Sequence, residues 1–240
     1  MIDSIIFDLD GTLWDATGCA PYIWNAVFEK HKEVKLRITQ ENAADLMGTG
    51  KTMEEIGDAL FPEFSIELRR RITDELSEAE VTYLELNGAV LYEGVQEVIP
   101  SISKQYNLYI VSNCQDGYVP AFLHAHGMKA YFRDIEMSGR TEKSKGENIK
   151  ILMNRNGIRN AVYVGDTEGD EKSSRYAGIP FIWAKYGFGR PIHPDGIIEC
   201  IRDLPACINE LERKASITNK KDTCNTKGPR ALEQLRKIDY

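Results

Sequence analysis

The sequence is poor in the residues that build disulfide frameworks and zinc sites. Its five cysteines are odd in number and irregularly spaced, without a Cys-x-x-Cys pair, and its four histidines form no cluster with carboxylates. These absences argue against both a disulfide-stapled secreted module and a zinc domain. We therefore expect reduced thiols and histidines that are structural or on the surface.

Long apolar runs are also missing from the 240 residues. No stretch approaches the roughly 20 apolar residues that a membrane-spanning helix requires. The first residues lead directly into a predicted strand, which leaves no room for a signal peptide. At 42% hydrophobic composition the chain can bury a full core, as globular proteins do. The sequence therefore predicts a cytoplasmic globular protein with no membrane partner.

The net negative charge is unevenly distributed along the chain. The formal net charge is −7, and residues 212–240 hold eight Lys or Arg against four Asp or Glu, so residues 1–211 carry about −11. Nonspecific nucleic-acid binding needs clustered cations that displace phosphate counterions. The acidic body argues against a nucleic-acid partner, whereas a small phosphorylated metabolite can still bind at a local site.

From Glu97 onward, short apolar segments alternate with helical stretches, and this pattern predicts the fold class. Residues 145–155, for example, place Ile149, Leu152 and Met153 on one helical face. Such alternation predicts an α/β protein with a doubly wound, mainly parallel, Rossmann-like sheet and helices on both sides. The predicted strands are residues 4–9, 108–112, 132–136, 161–165 and 179–183.

Nearly a hundred residues between the first two predicted strands follow a different sequence pattern. Helical spacing recurs in four segments that are separated by turn residues. They predict a small helical domain over residues 15–87, inserted into a core made of residues 1–14 and 88–211. The four segments are residues 20–32, 40–47, 52–60 and 65–85.

The C-terminal residues 212–240 form a polar tail that the core pattern does not include. Residues 214–230 combine high polarity with the absence of any apolar periodicity, a composition typical of disorder. We predict a disordered linker over this stretch and a short final helix over residues 231–240.

The run from Ile5 to Thr12 places two carboxylates, Asp8 and Asp10, directly after a buried strand. Open α/β sheets bind ligands at the carboxyl ends of their strands, so both side chains are expected at a ligand site. Three later segments place polar or charged residues in corresponding positions. They are Ser112-Asn113, the run from Arg140 to Glu147, and Gly165-Asp166 with Asp170 one helical turn further.

The Asp8-Leu9-Asp10-Gly11-Thr12 run resembles the opening motif of the haloacid dehalogenase superfamily, specifically its phosphatase branch. The three later segments match the superfamily's remaining motifs in order. The predicted insertion agrees, because α-helical caps placed at this point, of the C1 type, define one class of the superfamily. The resemblance covers about residues 1–211 and is strongest to phosphoglycolate phosphatase-like members.

The resemblance implies catalytic roles for four residues. Asp8 would be the nucleophile that forms an aspartyl-phosphate, and Asp10 would be the general acid and base. Ser112 would bind a phosphoryl oxygen through its hydroxyl, and the backbone amide of Asn113 would help.

It also implies a Mg²⁺ cofactor. The expected ligands are Asp8, Asp166 and the backbone carbonyl of Asp10, since Mg²⁺ takes few protein carboxylates and bridges to the substrate phosphate. Asp170 would bind the metal or orient its waters.

The superfamily places one lysine near the nucleophile, and two residues compete for that position. Lys145, followed by Gly146-Glu147, fits a Lys-Gly variant at the start of a helix. Lys143 fits better when the count runs back from Asn156-Gly157-Ile158, as in relatives whose lysine precedes a proline. We favour Lys145.

The run Gly48-Thr49-Gly50-Lys51-Thr52 imitates the end of a nucleotide-binding P-loop. A P-loop needs a glycine where Asp45 stands and a strand before it, whereas residues 40–47 are predicted to be helical. We reject the P-loop. Because this loop lies between two cap helices, Thr49 and Lys51 are candidates for substrate selection.

Together these observations predict a Mg²⁺-dependent phosphatase of a small, phosphoglycolate-like phosphate monoester, acting as a monomer or homodimer. Two alternatives stay open at this level: a sugar phosphomutase of the β-phosphoglucomutase type, and a noncatalytic module that binds metal and metabolite. A phosphonate hydrolase is disfavoured, because only Lys51 could supply the Schiff-base lysine that it needs.

Overall fold

The computed structural model describes the backbone of residues 1–225 and the side chains of residues 1–217. No helix in this part of the chain is long and apolar enough to cross a membrane. The strands are β1 (Ser4–Phe7), β2 (Trp14–Asp15), β3 (Val90–Leu91), β4 (Asn107–Ser112), β5 (Phe132–Met137), β6 (Ala161–Gly165), β7 (Phe181–Ala184) and β8 (Gly196–Ile198). The α-helices are α1 (Ala20–Phe28), α2 (Gln40–Met47), α3 (Met53–Leu60), α4 (Ile66–Asn87), α5 (Val95–Ile102), α6 (Tyr118–Ala125), α7 (Ser138–Thr141), α8 (Lys145–Asn156), α9 (Glu168–Ala177) and α10 (Leu204–Asn225).

Six parallel strands form the main sheet in the order β5-β4-β1-β6-β7-β8. Phe7 in β1 pairs with Ile110 of β4 on one side and with Val164 of β6 on the other. The strand order reverses between β1 and β6, which is where doubly wound sheets bind ligands. The predicted doubly wound, parallel fold is therefore confirmed.

Alternate residues of the central strands enter two apolar clusters, one on each face of the sheet. Ile5 and Phe7 pack into a cluster with buried residues of α5, α6 and α10. Ile6 points the other way and packs with Ile149 and Leu152 of α8. Burial on both faces explains why β1 reads as a continuous apolar run.

Helices α1 to α4 form a cap, which has an apolar cluster of its own. Trp24, Ile72 and Leu76 are fully buried in it. The chain enters and leaves the cap through β2 and β3, which pair antiparallel with Trp14 opposite Leu91. This ribbon could not be read from the sequence, because two residues cannot display an alternating pattern.

The C-terminal prediction needs a correction. Residues 214–225 are not a disordered linker, because α10 continues through Asn225. Leu204 and Ile208 are buried and anchor the start of the helix, and Arg213 pairs with Glu210 along its exposed side. Such pairs support a helix whose apolar face is short. The predicted final helix, residues 231–240, lies outside the described residues.

Packing between α3 and α4 leaves no room for a side chain at Gly57, and this generates a stability prediction. A Cβ at Gly57 would lie 2.2 Å from Thr73 Cγ2, and a threonine in a helix cannot easily rotate away. Gly57→Ala should lower the free energy of unfolding by about 1–3 kcal/mol, although alanine is otherwise the better helix former.

The control is the same substitution in a Thr73→Ser background, measured by urea denaturation. Serine removes Cγ2 but keeps the hydroxyl that donates to the carbonyls of Arg69 and Arg70. There Gly57→Ala should be neutral or stabilising. Equal destabilisation in both backgrounds would show that the Thr73 methyl group is not the obstacle.

Candidate active site

Three buried acidic side chains meet where the strand order reverses. Asp8 follows β1, Asp166 follows β6, and Asp170 lies in the first turn of α9. One carboxylate oxygen from each lies within 4.8 Å of the others. Such a cluster concentrates negative charge and oxygen ligands at one point.

Lys145, the first residue of α8, supplies the cation of this cluster. Its Nζ lies 3.0 Å from Asp8 Oδ1 and 2.6 Å from Asp170 Oδ1, and the side chain is only 4% exposed. Burial lowers the pKa of Lys145, but attraction to Asp170 and Asp8 outweighs it and holds the pKa above its ordinary value. Lys143 is exposed, so of the two candidate lysines only Lys145 contacts Asp8.

Asp8 is 5% exposed, and its neighbours shift its pKa in opposite directions. Burial and the charge of Asp170 raise its pKa, Lys145 lowers it, and the outcome is a pKa of about 6. Its Oδ1 has no hydrogen-bond partner of good geometry despite the nearby ammonium. An ionised, poorly hydrogen-bonded carboxylate is suited to act as a nucleophile or a metal ligand.

The backbone holds Asp166 on one side and leaves the other side open. Its Oδ2 accepts hydrogen bonds from the backbone N–H groups of Phe188, at 2.7 Å, and Gly189, at 3.4 Å. Its buried Oδ1 has no partner. Gly11, with φ +77°, allows this approach, because a Cβ there would lie 2.3 Å from Asp166 Oδ2.

The loop 186–189 has a role that the sequence alone did not reveal. The loop follows β7 and supplies the amide donors to Asp166. A Cβ at Gly187 would lie 2.3 Å from the carbonyl oxygen of Gly11. The Gly-x-Gly spacing after a core strand was the available signal.

Asp170 is saturated by protein donors. Its Oδ2 accepts from the backbone N–H groups of Asp166 and Thr167 and from the Thr167 hydroxyl, while Oδ1 accepts from Lys145. This arrangement caps α9 and aims the ammonium of Lys145 at Asp8. Asp170 therefore suits the positioning of Lys145 better than direct metal binding.

Asp10 is held by two aromatic residues. Its Oδ1 accepts hydrogen bonds from Trp14 Nε1, at 2.8 Å, and from the Tyr118 hydroxyl, at 3.0 Å. Burial and the charge of Asp8 raise its pKa to about 8, against the lowering effect of these bonds. The contact with Tyr118 spans 108 residues and could not be predicted from the sequence, since no local pattern announces it.

Ser112, the last residue of β4, and Asn113, the next residue, line the same cavity as Asp8 and Asp10. The Asn113 side chain is already engaged: its Nδ2 donates to the Gly50 carbonyl in the cap, and its Oδ1 accepts from Ser138 Oγ. The predicted contact of the Asn113 backbone amide with a phosphoryl oxygen does not depend on these side-chain bonds.

The cavity lies between the core and the cap and has a volume of about 60 Å³. Of the two cap candidates, Lys51 lines it, whereas the Thr49 hydroxyl donates to the carbonyl of Leu46 and does not line the cavity. Cys114 also lines it, but burial raises the pKa of its thiol, so it is not an activated nucleophile.

The chain is similar to known proteins over most of its length. It matches the family described as haloacid dehalogenase-like hydrolase over residues 5–184. It is 29% identical to the phosphoglycolate phosphatase of Vibrio vulnificus over 222 residues, which cover 85% of this chain and 94% of that protein. It is 25% identical to the phosphoglycolate phosphatase of Synechococcus elongatus, with 89% of this chain and 100% of that protein covered.

Among solved structures, a predicted phosphoglycolate phosphatase from Haemophilus somnus has the same fold. It superposes with a TM-score of 0.72 at 22% identity, and the match covers 85% of this chain and 97% of that one. The family match over residues 5–184 spans the cap and every acidic residue of the cluster. The chain therefore belongs to the haloacid dehalogenase-like hydrolases and is similar to the phosphoglycolate phosphatases among them.

Proposed function

We propose that this protein is a Mg²⁺-dependent phosphatase that hydrolyses a small phosphate monoester, similar to phosphoglycolate in size, through an aspartyl-phosphate. One observation carries the proposal: Asp8, paired with Lys145, and Asp10, held by Trp14 and Tyr118, open into the same small cavity. A nucleophile and a separate acid are what two-step hydrolysis requires.

The residues present fit Mg²⁺. Asp166 Oδ1 is buried without a partner, and carboxylate oxygens of Asp8 and Asp166 lie within 4.8 Å of each other, so the site offers hard oxygen donors to a hard cation. Asp8, Asp166 and the backbone carbonyl of Asp10 would hold the ion. When bound, Mg²⁺ supplies positive charge that offsets the negative charge of the phosphoryl oxygens.

In the first step, an Asp8 oxygen attacks phosphorus and the ester P–O bond breaks. Asp10 gives its proton to the departing alkoxide, which leaves as the alcohol. Lys145 offsets the charge between Asp8 and the phosphoryl group, while the Ser112 hydroxyl and the Asn113 amide bind phosphoryl oxygens.

In the second step, water attacks phosphorus and the bond to Asp8 breaks. Asp10, now ionised, takes the proton from the water, so phosphate leaves and both carboxyl groups return to their starting states. A pKa near 8 lets one carboxyl group serve in both directions close to neutral pH.

The cap, with proposed bounds at residues 15–87, would close over the substrate and exclude bulk water. Asn113 bonds Gly50 and Gln115 bonds Glu80 across the boundary between core and cap, and the β2–β3 ribbon would be the hinge. A small phosphorylated metabolite is the proposed substrate. The cytoplasmic location and the monomeric or homodimeric state stay predictions.

Removing the nucleophile tests the mechanism. Asp8→Asn should lower kcat for small phosphate monoesters, assayed as phosphate release with Mg²⁺, by at least about 10³-fold. Asp45→Asn, in the cap and outside the cavity, is the matched control and should keep full activity. In the wild type, acid quenching and borohydride reduction should convert Asp8 to homoserine, detectable by mass spectrometry. Retained activity in Asp8→Asn would refute the assignment.

The role of Asp10 has its own test, which depends on the leaving group. Asp10→Asn should lower kcat/KM, which reports the first step, by roughly 10²–10⁴-fold for alkyl phosphates, but should lower kcat/KM for p-nitrophenyl phosphate much less, because its leaving group needs no proton. Wild-type kcat/KM for alkyl phosphates should fall as the pH rises through about 8, where Asp10 loses its proton. Equal losses for both ester types would exclude a role as general acid.

Metal binding can be tested without turnover. Burial, Asp170 and Asp8 raise the pKa of Asp166 well above 3.8. The folded metal-free protein therefore binds a proton more tightly than the unfolded chain, and its stability falls as the pH rises above that value. Asp166→Asn should raise the metal-free melting temperature at neutral pH, by an amount that grows with pH.

Mg²⁺ at 100 times its Kd should stabilise the wild type by about 2.7 kcal/mol, and Asp166→Asn should lose most of this gain. Asp45→Asn is again the control and should behave like the wild type in thermal-shift titrations. A Mg²⁺-dependent shift that survives in Asp166→Asn would place the metal elsewhere.

A further inference from the structure

Glu80 is a buried acid in the cap that the proposed mechanism does not use. It lies in α4, is 5% exposed, and lines the same cavity as Asp8 and Asp10. A carboxylate in the interior without a cation partner is costly, so its retention on a cavity wall calls for an explanation.

Both oxygens of Glu80 act as hydrogen-bond acceptors. Trp24 Nε1 donates to Oε1 and Gln115 Nε2 donates to Oε2, each at 2.6 Å. Both nitrogens can only donate, so they fix the carboxylate in one orientation. Each carboxylate oxygen can accept more than one hydrogen bond, and the cavity side of Glu80 therefore offers sites to a further donor.

The rest of the cap wall carries no buried positive charge among the residues that the structure describes. Trp24, Met47, Met53 and Ile56 are apolar or aromatic. Lys51 is the cap's cation on this cavity, and it is exposed. The core's cation, Lys145, is already paired with two carboxylates.

The position of the reacting groups determines which part of the substrate lies near Glu80. Phosphorus must sit beside Asp8, so the organic end of the ester points toward the cap wall. Because Glu80 lines the same cavity as Asp8, the organic end of a small ester can reach it. Both oxygens of Glu80 already act as acceptors, so a substrate carboxylate there would set acceptor against acceptor, whereas a hydroxyl or ammonium group would supply the donor.

We propose that Glu80 selects phosphate monoesters whose organic end carries a hydrogen-bond donor, a hydroxyl or an ammonium group, and disfavours esters that carry a carboxylate. The inference rests on the proposed phosphatase activity and narrows its substrate class. Glu80 is then a specificity-determining residue, and the enzyme is not selective for phosphoglycolate.

The test is a series of two-carbon esters of equal length: 2-hydroxyethyl phosphate, O-phosphoethanolamine, ethyl phosphate and 2-phosphoglycolate. For the wild type with Mg²⁺, kcat/KM for the hydroxyl or ammonium ester should exceed that for 2-phosphoglycolate by about tenfold or more. The series also tells a hydroxyl preference from an ammonium preference.

Glu80→Gln removes the charge and keeps the shape of the side chain. It should reduce the preference of donor ester over 2-phosphoglycolate by about tenfold. Glu78→Gln, on the same helix but outside the cavity, is the matched control and should keep the wild-type preference. A merely structural defect in Glu80→Gln would lower all four values together and leave their ratios unchanged, which would overturn the proposal.

A wild type that prefers 2-phosphoglycolate would also overturn it. If Lys51→Met then removed that preference, Lys51 would be the selecting residue in place of Glu80. Hydrolysis of none of the four esters, nor of a wider panel of phosphate monoesters, would instead refute the proposed function. Wild-type hydrolysis without selectivity would refute only the role of Glu80.

Discussion

The ammonium of Lys145 is the interaction on which this active site depends. Asp8, Asp166 and Asp170 lie within 4.8 Å of one another in the protein interior, where like charges repel strongly. Lys145 touches two of them, at 3.0 and 2.6 Å. Removing one member of a buried ion cluster leaves uncompensated charge, which is far more costly than losing a surface pair. The same cation therefore offsets the repulsion within the folded protein and pairs with Asp8, the proposed nucleophile.

The elements around the cluster are arranged to hold it in place. Helix α8 begins at Lys145 behind a capping box between Ser144 and Glu147, which fixes where the ammonium leaves the backbone. Helix α9 begins with a second box between Thr167 and Asp170, so the acid that aims Lys145 also caps its own helix. The repulsion that Lys145 does not offset remains at Asp166, and the unpartnered oxygen of Asp166 is where a cation is proposed to bind.

Sequence alone predicted those parts of the molecule that local pattern controls. The central strands, the four cap helices and the acidic motif after β1 are visible because apolar periodicity and strand-end chemistry are local signals. The two-residue strands β2 and β3 and the short β8 carry no such signal. The length of helix α10 was underestimated, because the second half of the helix is polar. The partners of Asp10 and Glu80 could not be found, since contacts such as Tyr118 to Asp10 depend on the assembled fold.

One short loop, residues 112–115, contributes both to the proposed phosphoryl-binding site and to the contacts between the core and the cap. Ser112, at the end of β4, lines the cavity beside Asp8, while the next residue, Asn113, bonds the Gly50 carbonyl of the cap, and Gln115 bonds Glu80. A movement of the cap must therefore change the same four-residue segment that is proposed to bind the phosphoryl group. The cap contacts and the proposed phosphoryl-binding groups thus share one backbone segment. Glu80 stands at the cap end of that connection, where the organic part of a substrate would complete the closed state.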